Sequence, residues 1–248
     1  MKTLEFTKMQ GLGNDFVLIE GPQQLTSGEI AHICDRRFGV GADGVLMVTN
    51  GSPVVMDYWN ADGSSAEMCG NGLRCVARYA HDRWDAPDQF VVDTPMGARS
   101  VVIKGTDVEV EIGPVRMEGE ETIDGERYVL VDTGNPHAVR MVDDPGRIDV
   151  AAVGRKVARE AGFDAGCNVE FMRLGEGKVE MRVWERGVGE TLACGTGMVA
   201  AAFVALDGED GETSIEVPGG TGRVRIADGV AWLIGPAEYS FTGRVDQG

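Results

Sequence analysis

Short apolar runs separated by turn residues dominate this chain. Phe16-Val17-Leu18-Ile19, Val45-Leu46-Met47-Val48, Phe90-Val91-Val92 and Val101-Val102-Ile103 read as strands in the first half. Tyr128-Val129-Leu130-Val131, Val179 to Val183 and Val230 to Ile234 do so in the second. Asp62-Gly63, Asp107-Val108 and Asp228-Gly229 carry turn chemistry. Thr26-Ser27-Gly28-Glu29 predicts a helix opened by a capping box, with Leu25 and Ile30 as its hydrophobic staple. A counterpart is predicted from near Asp149 to about Glu160. Two further helices differ in pattern. Leu73, Val76, Ala77 and Ala80 give the first one apolar face, whereas Met198 to Leu206 is apolar all round and must be buried on every side. The predicted class is α+β: a curved sheet around one central helix, built twice.

The chain also repeats itself. Met68-Cys69-Gly70-Asn71-Gly72-Leu73 matches Ala193-Cys194-Gly195-Thr196-Gly197-Met198, and the same offset sets Asn60 against Glu185. Gly13-Asn14 matches Gly134-Asn135, and Thr94-Pro95-Met96-Gly97 matches Val217-Pro218-Gly219-Gly220. Ile112-Gly113-Pro114 recurs as Ile234-Gly235-Pro236. Each match alone is weak. Five in one order, at offsets drifting by only a few residues, define two copies of one unit. Two lobes with pseudo-two-fold symmetry are expected, with a site between equivalent faces.

The 248 residues carry a net charge of −17, from 40 acidic against 23 basic side chains. Such a surface repels nucleic acid and anionic membranes, and no basic cluster interrupts it. Only five of the basic residues are lysines, which points to an acidic surface suited to a salt-rich cytosol. The opening residues lack the apolar stretch of a signal peptide, and Met198–Leu206 is too short to span a bilayer, so a soluble cytoplasmic protein is expected. Five cysteines (Cys34, Cys69, Cys75, Cys167, Cys194) in an odd number, without a Cys-x-x-Cys pair, argue against a disulfide framework and a zinc ribbon. Three scattered histidines add no metal site.

Cys69 and Cys194 stand apart because each opens a Cys-Gly-x-Gly where a loop enters a helix. Glycine lets the backbone approach a ligand. The free N–H groups of the first turn attract negative charge. A thiol there is expected to have a lowered pKa, and a carboxylate can dock on the same amides. Carried twice, this device suits inversion at an α-carbon, with a thiolate taking a proton from one face and a thiol giving one to the other. For an isolated cysteine, burial as a small hydrophobe is the usual fate. Duplication in equivalent contexts favours chemistry for Cys69 and Cys194, whereas Cys34, Cys75 and Cys167 have no repeat partner and read as packing.

At these residues the sequence resembles the diaminopimelate epimerase family. The resemblance covers essentially the whole chain, through Lys8-Met9-Gln10-Gly11-Leu12-Gly13-Asn14-Asp15-Phe16, Phe38-Gly39-Val40-Gly41-Ala42-Asp43-Gly44, Asn60-Ala61-Asp62-Gly63-Ser64, Thr133-Gly134-Asn135-Pro136-His137, Trp184-Glu185-Arg186-Gly187-Val188-Gly189-Glu190-Thr191 and Ile234-Gly235-Pro236-Ala237, together with the two cysteine motifs. It implies interconversion of LL- and meso-diaminopimelate on the way to lysine, without cofactor or metal. It implies an α+β fold of two pseudo-symmetric lobes, each a β-barrel-like mixed sheet around a central helix. Residues 1–114 form the first lobe, with 237–248 returning to it, and 115–236 form the second. By the same resemblance Cys69 and Cys194 are the acid–base pair. Gly70-Asn71 and Gly195-Thr196 hold a carboxylate. Asn14, Asn60, Asn135, Asn168, Glu185 and Arg186 bind substrate, and His137 and Glu185 tune the thiols. Arg186 suits a carboxylate and Glu185 an ammonium. A homodimer is implied as well, although the family's dimer-contact tyrosine stands here as Phe241. Gly44 stands where some members carry glutamine. Two rival readings are a proline or hydroxyproline racemase-like enzyme, whose compact substrate has no use for Arg186 and the asparagines, and a thiol redox or amino-acid-binding protein.

Overall fold

The computed structural model of the protein describes residues 3–65 and 69–246, so Met68 of the first cysteine motif lies outside the described residues. The chain divides into two compact units, residues 1–110 with 235–248, and residues 111–234.

Unit 1 begins with β1 (Thr3–Gly11) and β2 (Asn14–Glu20), then α1 (Ser27–Cys34), β3 (Gly44–Thr49), β4 (Val54–Asn60), α2 (Gly70–Trp84), β5 (Gln89–Thr94), β6 (Gly97–Lys104) and β7 (Asp107–Pro114), along which the chain leaves the unit. Unit 2 runs through β8 (Arg116–Ile123), β9 (Glu126–Asp132), β10 (Pro136–Met141), α3 (Val150–Glu160), β11 (Asn168–Leu174), β12 (Lys178–Glu185), the short β13 (Gly189–Thr191), α4 (Gly195–Ala205), β14 (Gly211–Val217), β15 (Gly220–Ala227) and β16 (Val230–Pro236). The last strand, β17 (Glu238–Asp246), pairs antiparallel with β1 and so completes unit 1.

Strand pairing repeats between the units. In unit 1 β1–β2 is antiparallel, β2–β3 parallel, β3–β4 antiparallel, β4–β5 parallel, and β5–β6 and β6–β7 antiparallel. The same sequence of senses recurs in β9–β10, β10–β11, β11–β12, β12–β14, β14–β15 and β15–β16. Even the flanking strand has its counterpart, since β8 pairs with β9 as β17 pairs with β1. Such mixed sheets with a helix on each face bury both sides of their middle strands. In β2, Val17 and Ile19 join Ile30 and Ile33 of α1 in one core. In β11, Val169 and Phe171 join Val150 and Val157 of α3 in another. The second helix of each unit covers the other face. Contacts of α2 reach β1, β2, β3, β4 and β6, and those of α4 reach β9, β10, β11, β12, β14 and β15. One helix touches so many strands only because the sheet curves round it.

The predicted capping box at Thr26 is present, with Thr26 Oγ1 accepting from Glu29 N, and α3 starts after an Asp149 N-cap and ends at Glu160. Two expectations are corrected. Asp107 is the first residue of β7, and the turn before it lies at Gly105-Thr106, where glycine takes the positive φ of 63°. The N-terminal half of α2 is buried all round rather than on one face, because the sheet encloses it; even Arg74 is fully buried, its Nε donating to Pro236 O at 3.2 Å. Among the described residues no helix is long and apolar enough to cross a membrane.

Candidate active site

In each unit the repeated cysteine is the N-cap of the enclosed helix. Cys69 has extended backbone (φ −147°, ψ 103°) and its Sγ accepts from Gly72 N at 3.3 Å. Cys194 (φ −120°, ψ 115°) accepts from Gly197 N at 3.4 Å. The sulfur thus does what a serine or aspartate oxygen does at an ordinary helix start. Gly70-Asn71 and Gly195-Thr196 supply the first residues of the helices, whose leading N–H groups have no carbonyl within the helix to bond.

Around Cys69 the structure gathers Asn14 and Asn71. Asn14 Oδ1 accepts from Asn71 Nδ2 at 3.2 Å and lies 3.7 Å from Cys69 Sγ. Asn14 Nδ2 donates to Asp43 Oδ2 at 2.7 Å. Behind that contact, Arg36 bridges Asp15 and Asp43, while Lys8 pairs with Asp15 at 2.6 Å. Burial opposes ionisation of Asp15, but Arg36 and Lys8 prevail and bring its pKa down to about 2. Asn60 ends β4 with its Nδ2 donating to Ser64 Oγ at 3.0 Å rather than to this cluster. Gly44 is obligatory where it stands, since an added Cβ would sit 2.5 Å from Trp59 O and 2.6 Å from the Tyr58 ring.

Around Cys194 the set is more acidic. Its Sγ lies 3.5 Å from Thr196 Oγ1, and Glu185 accepts a hydrogen bond from Thr191 Oγ1. Burial raises the Glu185 pKa, opposed by hydrogen bonds from Thr191 and Cys194. The expected lowering of the thiol pKa fails at Cys194. It is only 5% exposed, and burial followed by the carboxylates of Glu185 and Glu170 pushes the thiol well above its ordinary value, outweighing Thr196 and the Gly197 amide. Asn168 Oδ1 accepts from Arg186 N at 2.8 Å, and Arg186 Nη1 donates to Gly166 O at 3.1 Å. A hollow of about 600 Å³ beside Arg186, lined also by Arg155, Arg159 and Trp184, holds neither thiol.

His137 is fully buried, with Nδ1 2.7 Å from Glu170 Oε1 and Nε2 3.0 Å from Asn135 Oδ1. Glu170 and Asp43 were not singled out in the sequence. Aligning the two copies strand by strand would have exposed Glu170, a buried carboxylate between Val169 and Phe171 where unit 1 has Leu46. Cys34, Cys75 and Cys167 are buried, and burial pushes their thiols up to about 11, 12 and 12. None of the three caps a helix as Cys69 and Cys194 do.

One unit carried twice, each copy a sheet curved round an enclosed helix, defines the fold class. The fold is shared with a phenazine biosynthesis protein of the PhzF family from Enterococcus faecalis (TM-score 0.77, 12% identity, 99% of this chain and 100% of that one). It is shared equally with a hydroxyproline epimerase from Agrobacterium vitis (TM-score 0.75, 12% identity, 99% and 91%). Within that class the sequence is more specific. The diaminopimelate epimerase family profile matches residues 6–118 and 129–239. Proteins named diaminopimelate epimerase are 39% identical in Rhodococcus jostii (99% of this chain, 98% of that one) and 40% identical in Thermobifida fusca (98% of each). The chain belongs to the diaminopimelate epimerase family.

Proposed function

We propose that the protein is a cofactor-independent epimerase interconverting LL- and meso-diaminopimelate in the cytoplasm, for lysine synthesis, with Cys69 and Cys194 as its acid–base pair. The observation that carries this reading is the placement of both thiols at equivalent helix N-caps of a repeated unit, in a chain of this family. Inversion needs a base and an acid on opposite faces of the α-carbon. A thiolate and a thiol supply both and exchange roles in the reverse direction, sharing one ionisation between them. Burial and its carboxylate neighbours raise the Cys194 pKa, which favours the protonated form of that thiol. The α-proton is weakly acidic, so the carbanion needs support. Amides at Gly70-Asn71 and Gly195-Thr196 offer it to the α-carboxylate. Asn14, Asn60, Asn135, Asn168, Glu185 and Arg186 are proposed to hold the rest of the substrate, with His137 and Glu185 tuning the thiols. A second copy of the chain is the partner proposed for β17, where Tyr239 and Phe241 are exposed.

Incubation with LL-diaminopimelate in deuterated water, under reducing conditions, tests the reaction. The meso isomer carrying one α-deuterium is expected. Cys69→Ala and Cys194→Ala should each slow inversion at least ~10²-fold. Normal turnover by either variant overturns the two-thiol mechanism, and absence of inversion by the unaltered protein overturns the function. The redox alternative instead requires activity that persists without inversion.

A further inference from the structure

Strand register makes the two units comparable residue by residue. Phe16 pairs with Gly44 between β2 and β3, and His137 pairs with Asn168 between β10 and β11. Two residues further along β3 and β11 stand Leu46 and Glu170. Unit 1 therefore fills with Phe16 and Leu46 the positions that unit 2 gives to His137 and Glu170. Contacts with the enclosed helices agree. An added Cβ on Gly72 would lie 3.0 Å from Leu46 Cδ2, and one on Gly197 would lie 2.7 Å from Glu170 Oε1. Both members of the polar pair are fully buried. Since unit 1 packs the same place with hydrocarbon, the pair is not required for packing, and buried ionic pairs seldom improve on apolar residues of similar size.

Its geometry has a direction. Asn135 Oδ1 accepts from Thr133 Oγ1 at 2.9 Å and faces His137 Nε2 at 3.0 Å, so Nε2 carries a proton. Nδ1 donates to Glu170 Oε1 at 2.7 Å, so with an acceptor at each nitrogen the ring carries a proton on both. With its oxygen engaged twice from inside, the half-buried Asn135 amide has its Nδ2 left to donate. The equivalent Asn14 is held the other way, its Nδ2 committed to Asp43 and its Oδ1 turned to Asn71 and Cys69. Equivalent asparagines thus present opposite ends.

We propose that Glu170 is a positioning residue of the epimerase site: acting through His137, it fixes Asn135 with its amide N–H groups outward, as donors to a carboxylate of the substrate. The proposal rests on the function read above. Besides His137 on β10, the ionisable groups around Glu170 are Glu185 at the end of β12, Cys194 before α4 and Cys167 before β11.

Three variants test it. Glu170→Leu installs the side chain of position 46. Glu170→Gln removes the charge but keeps a hydrogen bond to Nδ1. The double variant His137→Phe/Glu170→Leu reproduces the pair that unit 1 already packs, and serves if Glu170→Leu does not fold. KM and kcat are measured for LL-diaminopimelate, and ¹⁵N NMR of the imidazole reports which ring nitrogens hold protons. One hydrogen bond to a charged group is worth about ten-fold or more in binding. KM should rise about ten-fold in Glu170→Leu and in the double variant, and stay within about two-fold of the unaltered enzyme in Glu170→Gln. Loss of the Glu170 charge is common to Glu170→Gln and Glu170→Leu, so kcat should shift alike in these two, whereas the double variant also loses the imidazole. An unchanged KM in the folded leucine variants, or a glutamine variant as impaired as leucine, overturns the proposal. Lack of epimerase activity in the unaltered protein defeats the function instead. The ring nitrogens then still decide the role of Glu170: both carry protons in the unaltered protein, Nε2 alone keeps its proton in Glu170→Gln, and one proton spreads over both nitrogens in Glu170→Leu.

Discussion

Gly197 shows how tightly a single position is fitted around the Cys194 thiol. Alanine is ordinarily the better helix former by about 0.5–1 kcal/mol. Here the new Cβ would press on Glu170 Oε1 at 2.7 Å, and that oxygen is tied to His137. The clash wins, at about 1–3 kcal/mol. Gly197→Ala should therefore lower stability in urea titrations, whereas Gly72→Ala meets the movable end of Leu46 at 3.0 Å and should cost less. Equal effects of the two substitutions would contradict the fit described. Both cysteines could be singled out from sequence because their motif is repeated, and His137 and the asparagines because the chain resembles a family. Glu170 and Asp43 could not, since Glu170 depends on which face of β11 it occupies and Asp43 on the loop before β3 that carries it to Asn14. The pKa of Cys194 was misjudged for a related reason. A helix N-terminus can be read along the chain, but burial and the approach of Glu185 and Glu170 come from other strands.

Elements were most legible where local chemistry marks them. Thr26 and Asp149 announce α1 and α3, and apolar runs announce the middle strands. Less visible were β8, rich in charge, and β1 and β4, whose polar residues alternate with apolar ones. Some joints between elements are electrostatic. Lys8 on β1, Asp15 on β2, and Arg36 and Asp43 between α1 and β3 form one network supporting Asn14. The Asp15 carboxyl titrates near 2 when folded against 3.8 as its ordinary value. A depressed value stabilises the fold above pH 4, and that stability drains away as pH falls through 4 toward 2. It amounts to about 2 kcal/mol. Urea titrations across that range should show the loss, and Asp15→Asn should flatten it while lowering stability at pH 7. A variant whose stability falls with acid as steeply as the unaltered protein's would remove Asp15 from the account.

At the scale of the molecule, the net charge of −17 sets a single-sign field that salt must quiet. Screening lengths shrink from about 30 Å in 0.01 M salt to about 3 Å in 1 M. Thermal midpoints in KCl should climb over that range by several degrees, each ~1 kcal/mol giving roughly 2–4 °C. A midpoint that is flat or falls with added KCl would contradict the self-repulsion expected of this surface. The repeated fold was legible as a pair of copies, because glycine and proline motifs recur in order. The matching of β8 with β17 was not, since neither strand carries a shared motif.

That matching has a consequence for biosynthesis. Unit 2 brings its own flanking strand just ahead of β9, so it can mature as it emerges from the ribosome. The opening half cannot. Its β1 stays a bare edge until β17 is translated, after all of unit 2 has been made, leaving open hydrogen-bonding groups for another nascent chain to seize. The portion synthesised first is the portion finished last, and shielding that edge in the interval falls to whatever attends the chain during translation.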